Sequence, residues 1–272
     1  MNREDALLKL SGIIRNNFST THKVMEHCVK SGIKGYRVSS DLMPVLNHPN
    51  VLIQVEDLPE YGFIDYEIKK IKRFIAENDI KVSAHPSEYI TLTTGVESAI
   101  KNSILDLETH AKIFDWFGLP QDYSAPLNIH CRKDGEPDVI SNAFMSNYDK
   151  LSDSVKNRLV IEVNDNVKGV WSVKNLVKYY YEPHNIPITF DTLHNKFLHG
   201  DLSDKDAFEL AHSTWNTTPV FHYSEGKGDT RNHADMAQGI PDSYGYDVVW
   251  DVELKSKDYA IFDILERAKV TI

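Results

Sequence analysis

Leu159-Val160-Ile161-Glu162 is an apolar, β-favouring run closed by an acid, and the same design returns along the chain. Ser83-Ala84-His85-Pro86, Asn128-Ile129-His130, Thr189-Phe190-Asp191-Thr192-Leu193-His194, Val220-Phe221-His222 and Val252-Glu253 each end a short strand-like run on an imidazole or a carboxylate. An acid or imidazole in such a place costs several kcal/mol in desolvation unless something pairs with it. One such residue alone reads as a hydrogen-bonded structural group; several strands accepting the cost at the same end imply a shared partner. If these runs are parallel strands of one barrel, their carboxyl ends converge on a single face. A ring of nitrogen and oxygen ligands there suits a cluster of divalent metals. A multi-metal hydrolase is the expectation.

Working outward, helical patterns alternate with these runs. Thr20 or Thr21 is expected to cap a helix that turns Val24, Met25, Cys28 and Val29 inward before a strand over Gly35-Tyr36-Arg37-Val38-Ser39. Asp65 is expected to cap a second helix with Ile68, Ile71, Phe74 and Ile75 inward. Ile100, Ile104, Leu107, Ala111, Phe114 and Phe117 recur at helical spacing, and Gly118 with Pro120 stops that helix. Further helices are expected near Val173 to Tyr181 and Ser203 to Trp215, giving seven strands in all. Strand followed by helix at this rhythm predicts a parallel sheet and an α/β fold, a TIM-barrel-like (β/α) barrel. Two long connections, Asp41 to Ile64 and Tyr223 to Asp247, leave strand carboxyl ends, where barrel enzymes build substrate-binding surface.

A chain of 272 residues with 41% apolar content can form one barrel domain, and no linker-like tract divides it, so residues 1–272 are expected to fold as a single domain. The charged start and the lack of any long apolar run predict a protein of the cytoplasm without a membrane partner. Cys28 and Cys131 are far apart, which fits free thiols in a reducing compartment. The net charge of −10 argues against nonspecific coating of nucleic acid. It does not exclude a nuclease, because bound divalent ions reverse the local field of clustered acids. Arg132-Lys133, Lys69-Lys70 and Lys72-Arg73 are local basic patches whose plainest reading is solvated surface.

Among the candidates, Glu162 and Asp191 end apolar runs and have two oxygens each to share between ions. Asp191 and His194 are close enough for a strand end and its following loop to present both. His233 and Asp235 share one side if their segment is extended. His22, His27, His110, His184 and His212 read as structural or solvated, and His199 is ambiguous.

Eight blocks in order resemble the signature blocks of the UV damage endonucleases: Tyr36-Arg37-Val38-Ser39-Ser40-Asp41-Leu42-Met43-Pro44, Ser83-Ala84-His85-Pro86-Ser87-Glu88-Tyr89, Asn128-Ile129-His130, Ile161-Glu162-Val163-Asn164-Asp165, Asp191-Thr192-Leu193-His194, His222-Tyr223-Ser224-Glu225, His233-Ala234-Asp235 and Glu253-Leu254-Lys255-Ser256-Lys257-Asp258. Each is weak alone; the order carries the signal. The resemblance implies a TIM barrel; the family usually begins with a strand before the first helix, whereas Met1 here opens directly into a helical pattern, which either an incomplete seven-strand barrel lacking the amino-terminal strand or a start codon placed too late would explain. It implies a site for up to three divalent ions, most often Mn2+, with Zn2+ or Co2+ as alternatives. His85 and His130 would share an ion with Glu162; Glu162, Asp191, His222 and Glu253 would hold another; His194 and His233 would serve the third. The catalytic set is then Glu162, Asp191, Glu253 and His222. Arg37, His48, Glu88, Tyr89, Asp235 and Lys257 would face the substrate, Tyr89 as a probe of distorted duplex. Ser87-Glu88 stands where the family often has Gly-Gln, and Val220 where it commonly has lysine.

The implied activity is hydrolysis of a damaged DNA duplex immediately 5′ of UV photoproducts and other lesions such as abasic sites. It leaves a 3′-hydroxyl and a 5′-phosphate, and is carried out by a monomer needing no protein partner. Coordination lowers the pKa of a bound water towards neutrality, which supplies the nucleophile. A damaged step is cheaper to kink than intact duplex, so a wedge residue reads damage without reading sequence. Three other readings fit the residues: a metal-dependent sugar isomerase or epimerase of the same barrel class, a catalytically weak DNA-damage-binding protein, and a barrel whose polar strand ends pair only with one another.

Overall fold

In the computed structural model, residues 2–46, 51, 53–87, 89–131 and 135–270 are described. His48, Glu88 and the Arg132-Lys133 patch lie outside them. The elements run α1 (Arg3–Lys30), β1 (Gly35–Val38), α2 (Tyr61–Asn78), β2 (Lys81–Ala84), α3 (Glu97–Trp116), β3 (Leu127–His130), α4 (Pro137–Tyr148), α5 (Asp153–Lys156) and β4 (Leu159–Glu162). They continue with α6 (Val173–Leu176), a π-turn over Val177–Tyr181, α7 (Glu182–His184), β5 (Ile188–Thr189), α8 (Thr192–Phe197), α9 (Asp204–His212), β6 (Val220–Tyr223), β7 (Val249–Val252) and α10 (Asp258–Val270).

Every registered strand pair is parallel, as the alternation of runs and helices requires. The strands follow chain order, β1-β2-β3-β4-β5 in one sheet and β6-β7 in a second. Packing divides the chain into two compact units, and the backbone passes between them several times.

The first unit comprises Met1–Ile90, Lys101–Leu127 and Leu151–Arg158. β1 and β2 pair from Gly35↔Lys81 to Val38↔Ala84, and Ala84 then meets Leu127 at the start of β3. α1 buries Leu10, Ile14, Phe18, Thr21 and Met25, and α2 buries Ile64, Ile68, Ile71 and Ile75, each set at three- or four-residue spacing. Phe18 meets Phe117 edge to face with ring centroids 6.1 Å apart.

Two expected caps are displaced in this unit. Thr20 and Thr21 lie inside α1, which begins a full seventeen residues before Thr20. The Asn2 side chain accepts from the Asp5 amide at 2.8 Å, and Glu4 and Asp5 complement the helix dipole. Asp65 likewise lies one turn inside α2, where it pairs with Lys69 at 2.5 Å.

The second unit comprises Thr91–Ile100, Asn128–Lys150 and Leu159–Ile272. β4 pairs with β5 at Ile161↔Ile188 and Glu162↔Thr189. A bridge at Asp191↔His222 and a 2.9 Å bond from the His222 amide to Phe190 O carry the order on to β6, which pairs with β7 from Val220↔Val249 to Tyr223↔Val252. Phe208 is buried among Phe190, Phe221 and Trp250, with centroids 5.2 to 6.1 Å from its own. Among the described residues no helix is long and apolar enough to cross a membrane.

Candidate metal centre

The strand ends set the site. Glu162 is the last residue of β4, His130 of β3, and His222 lies within β6, while Asp191 stands two residues past the end of β5 and Glu253 directly follows β7. All belong to the second unit. Parallel strands present their carboxyl ends on the same side, so chain direction alone brings these groups together.

Glu162 is the hub. Its side chain is 1% exposed, and it lies 3.0 Å from Nδ1 of His194, 3.0 Å from Nδ1 of His222 and 3.7 Å from Nε2 of His130. The His130 and His194 rings stand 5.3 Å apart. Burial, the largest influence, works to raise the Glu162 carboxyl. The imidazoles of His222 and His130, with hydrogen bonds from His194 and His222, outweigh it and hold the group well below the usual carboxylate range. A second carboxylate, Glu253, stands 3.3 Å from His222 Nδ1 and 3.7 Å from His233 Nε2.

Asp191 has a separate task as well. Its Oδ1 accepts from the His194 amide at 2.6 Å, capping α8. The sequence predicts a loop after Asp191, but the chain turns at once into this helix, so His194 is presented from its first turn. Burial is the main cause of a raised Asp191 carboxyl, opposed by His194 and reinforced by the charges of Glu162 and Glu253.

Two supporting groups carried no role in the sequence. Asn128 donates from Nδ2 to Glu162 Oε2. Ser224 Oγ donates to the Asp191 carboxylate. Each lies two residues from a histidine, Asn128 within β3 and Ser224 just past the end of β6, and period-two alternation of extended chain places it on the same face. That spacing, with polarity inside an apolar run, was the available signal.

The residues present suit divalent ions. One ligand atom from each of Glu162, Asp191 and His222, all three buried, lies within 4.8 Å of the others. Two buried carboxylates side by side repel each other, and a cation between them removes the repulsion. His194 Nδ1 also faces Val163 O at 3.1 Å, and a carbonyl only accepts, so in the neutral ring the proton belongs on Nδ1 and the lone pair on Nε2. An imidazole oriented in this way by a backbone carbonyl and a carboxylate is a common arrangement for a metal ligand.

The other expected site residues lie as follows. His85 directly follows β2 in the first unit, Arg37 lies half-buried on β1, and Tyr89 is 83% exposed. Asp235 is exposed and meets the segment between β7 and α10 through its backbone, Ser256 N donating to Asp235 O at 3.0 Å. Lys257 is exposed, with a positive φ of 51°. His199, the ambiguous one, is exposed and accepts from the Asp201 amide.

Parallel strands carrying a buried carboxylate–imidazole centre at their carboxyl ends place the chain in the TIM-barrel class. Endonuclease IV from Thermus thermophilus shares that fold at TM-score 0.63 and 15% identity, over 92% of this chain and 94% of its own, a likeness of fold alone. Residues 1–271 match the family model of UV-endonuclease UvdE, and the chain belongs to that family. The UV DNA damage endonuclease of Clostridium perfringens is 32% identical over 224 residues, 80% of this chain and 52% of that protein, so the match spans about half of that relative's length. The crystal structure of SacUVDE matches at TM-score 0.83 and 27% identity, over 99% of this chain and 90% of that one.

Proposed function

We propose that this chain is a divalent-metal-dependent endonuclease that nicks damaged duplex DNA immediately 5′ of UV photoproducts and other lesions such as abasic sites. The products are a 3′-hydroxyl and a 5′-phosphate, and the protein acts in the cytoplasm as a monomer. The observation that carries this reading is Glu162: a fully buried carboxylate set among three imidazoles, in a chain of the UvdE family.

Glu162, Asp191, His222 and Glu253 form the catalytic set, with His85, His130, His194 and His233 completing the ligands. His85 enters on its place in the family blocks, and His48, as a substrate-facing residue, on its match to a further histidine of the family. Mn2+ is the expected metal, in up to three sites. When bound, such ions supply an activated water and neutralise charge on the departing 3′ oxygen. The residues themselves fix where this happens. Asn128 and the imidazole cluster hold Glu162 in one orientation, and Ser224 does the same for Asp191. Exposed Tyr89 serves as the wedge that enters a weakened base step, and Arg37, Glu88, Asp235 and Lys257 enter as substrate-facing residues on the family resemblance.

Nicking of irradiated supercoiled plasmid with Mn2+ tests the reading. Conversion to open circles is expected for the wild-type protein, with loss in Glu162→Gln and after chelation. Undiminished nicking after exhaustive chelation rules the proposal out.

A further inference from the structure

His130 ends β3, and the residue that follows it is held on two sides. Cys131 has no exposed surface. Its Sγ lies 3.1 Å from Tyr180 OH in a hydrogen bond, and its carbonyl accepts from Asn164 Nδ2 at 3.1 Å. Asn164 stands two residues beyond Glu162, the carboxylate that faces the His130 ring. The Asn164 amide donates in turn to Trp171 O at 3.2 Å, and the Trp171 ring packs on Tyr180 with centroids 5.3 Å apart. These contacts close a circuit through Cys131, Asn164, Trp171 and Tyr180, all within the second unit.

Packing alone does not account for Tyr180. Phe144 meets its ring edge to face at 4.9 Å and Trp171 lies against it, so the side chain is wholly buried among aromatics. A phenylalanine would fill that space without the desolvation cost of a hydroxyl, and a thiol is a weak partner that offsets only part of that cost. Burial, the largest influence, and the neighbouring Cys131 thiol both raise the phenol, which keeps its proton and can donate it to the contact. Tyr180 also sits in the π-turn over Val177–Tyr181, and such turns are rare in helices and frequent at functional sites. The group at the far end of the contact is one residue from a candidate metal ligand.

We infer that Tyr180 is a positioning residue for the metal centre: its hydroxyl holds the Cys131 side chain while Asn164 holds the Cys131 carbonyl, and together they fix the end of β3 so that the His130 ring is aimed at Glu162 before an ion arrives. A ligand already in place has no ordering cost on binding. This rests on the proposed metal-dependent function and adds a residue that prepares the site for it.

The test uses the full chain with labelled histidine imidazoles, wild type against Tyr180→Phe, Cys131→Ala and the double variant. By titration calorimetry Tyr180→Phe is expected to bind Mn2+ about fivefold more weakly, the equivalent of one net hydrogen bond. In the metal-free protein its His130 ring signal, assigned by its loss in His130→Gln, shifts or broadens, while that of His212, packed against Phe208 and Tyr246, does not. The double variant binds no more weakly than Cys131→Ala alone, because both changes remove the same contact. If Tyr180→Phe does not fold, Cys131→Ala removes that contact from the other side and carries the calorimetry and the His130 signal.

Wild-type protein that takes up no Mn2+ overturns the metal-dependent reading and this inference with it. Mn2+ bound by Tyr180→Phe as tightly as by wild type, or an unchanged His130 signal, overturns the role of Tyr180 alone; a lower melting temperature with neither change identifies the hydroxyl as purely structural. Losses that add in the double variant show that Tyr180 acts other than through Cys131, and overturn the inference as well.

Discussion

Ser224 Oγ lies 2.9 Å from one oxygen of Asp191 and 3.1 Å from the other. A single hydroxyl therefore serves both oxygens of a carboxylate with no solvent exposure. Thr192 fixes the strand that carries it, accepting from the Ser224 amide at 3.0 Å and donating to Ser224 O at 2.7 Å. Ser224→Ala removes the hydroxyl and leaves this second tie intact. Support of this kind around a metal ligand is typically worth about tenfold or more in affinity. Titration calorimetry with Mn2+ is expected to show about that loss, with the melting temperature nearly unchanged. Unaltered affinity argues that Asp191 is not a ligand.

The metal-free protein should lose stability as pH rises. Burial alone would lower the His194 imidazole, but the Asp191 charge and the Glu162 carboxylate push it up to about 10 from an ordinary 6.5. The folded value lies above the unfolded one, so this contribution to stability is complete below about 6.5 and is lost as pH rises through about 10. Metal ions compete with protons for the same groups, which reverses the trend once the site is loaded. Thermal melts of chelated protein are expected to fall from neutral pH towards pH 10, and melts with saturating Mn2+ to fall less or not at all. A chelated protein equally stable across that range contradicts the cluster described here.

Much of this arrangement was legible in the sequence, for a physical reason. Parallel strands are short and apolar, so Leu159-Val160-Ile161 and Val220-Phe221 stand out, and a charged or imidazole side chain at their ends is conspicuous. The family blocks rest on those same residues. The start of α1 was harder to see, because its buried residues Leu10, Ile14, Phe18 and Met25 are spread through a polar segment whose cap, Asn2, precedes two acids rather than an apolar run. α2 is preceded by a cap residue with a left-handed backbone, Glu60 at φ 60°, which no local propensity announces. The pairing of Asn128 with Glu162 depends on how neighbouring strands align, and register between distant segments is not written in either one alone.

Glu225 ties down the connection that carries His233. Its Oε1 accepts from Tyr223 OH at 2.5 Å and from the Gly239 amide at 2.8 Å, while Oε2 accepts from the Gln238 amide at 2.8 Å. Arg267 reinforces the same turn by donating to Gln238 O and Ala237 O. Burial opposes ionisation of Glu225, but the Tyr223 hydroxyl and the two amides outweigh it and lower the carboxyl. The anchor is therefore intact above its unfolded pKa and weakens as pH falls through the lower, folded value. In Glu225→Ala, amide exchange over residues 226–239 is expected to rise about tenfold, as for loss of one charged hydrogen bond. Exchange confined to wild-type rates would show that the turn is held by other means.

Arg158 makes the strongest case for a purely structural charge. Its side chain has no exposed surface, yet Nε donates to Pro120 O at 2.9 Å, Nη2 to Leu119 O at 2.9 Å and Nη1 to Ser154 Oγ at 2.7 Å, with Asp115 Oδ1 2.8 Å away. The guanidinium carbon also stands 5.7 Å from the centre of the Phe114 ring. One rigid fork thus satisfies the carbonyls that follow α3 and joins them to the segment that leads into β4. Lysine offers a single donor centre and cannot reproduce that geometry. Arg158→Lys should leave at least one buried carbonyl without a donor and cost about 1–3 kcal/mol. Arg158→Ala leaves the Leu119 and Pro120 carbonyls both without this donor and opens a cavity, so its cost should reach about 3–5 kcal/mol. Urea unfolding at neutral pH distinguishes the two: equal midpoints for lysine and arginine would mean that charge alone, and not the fork, holds this junction together.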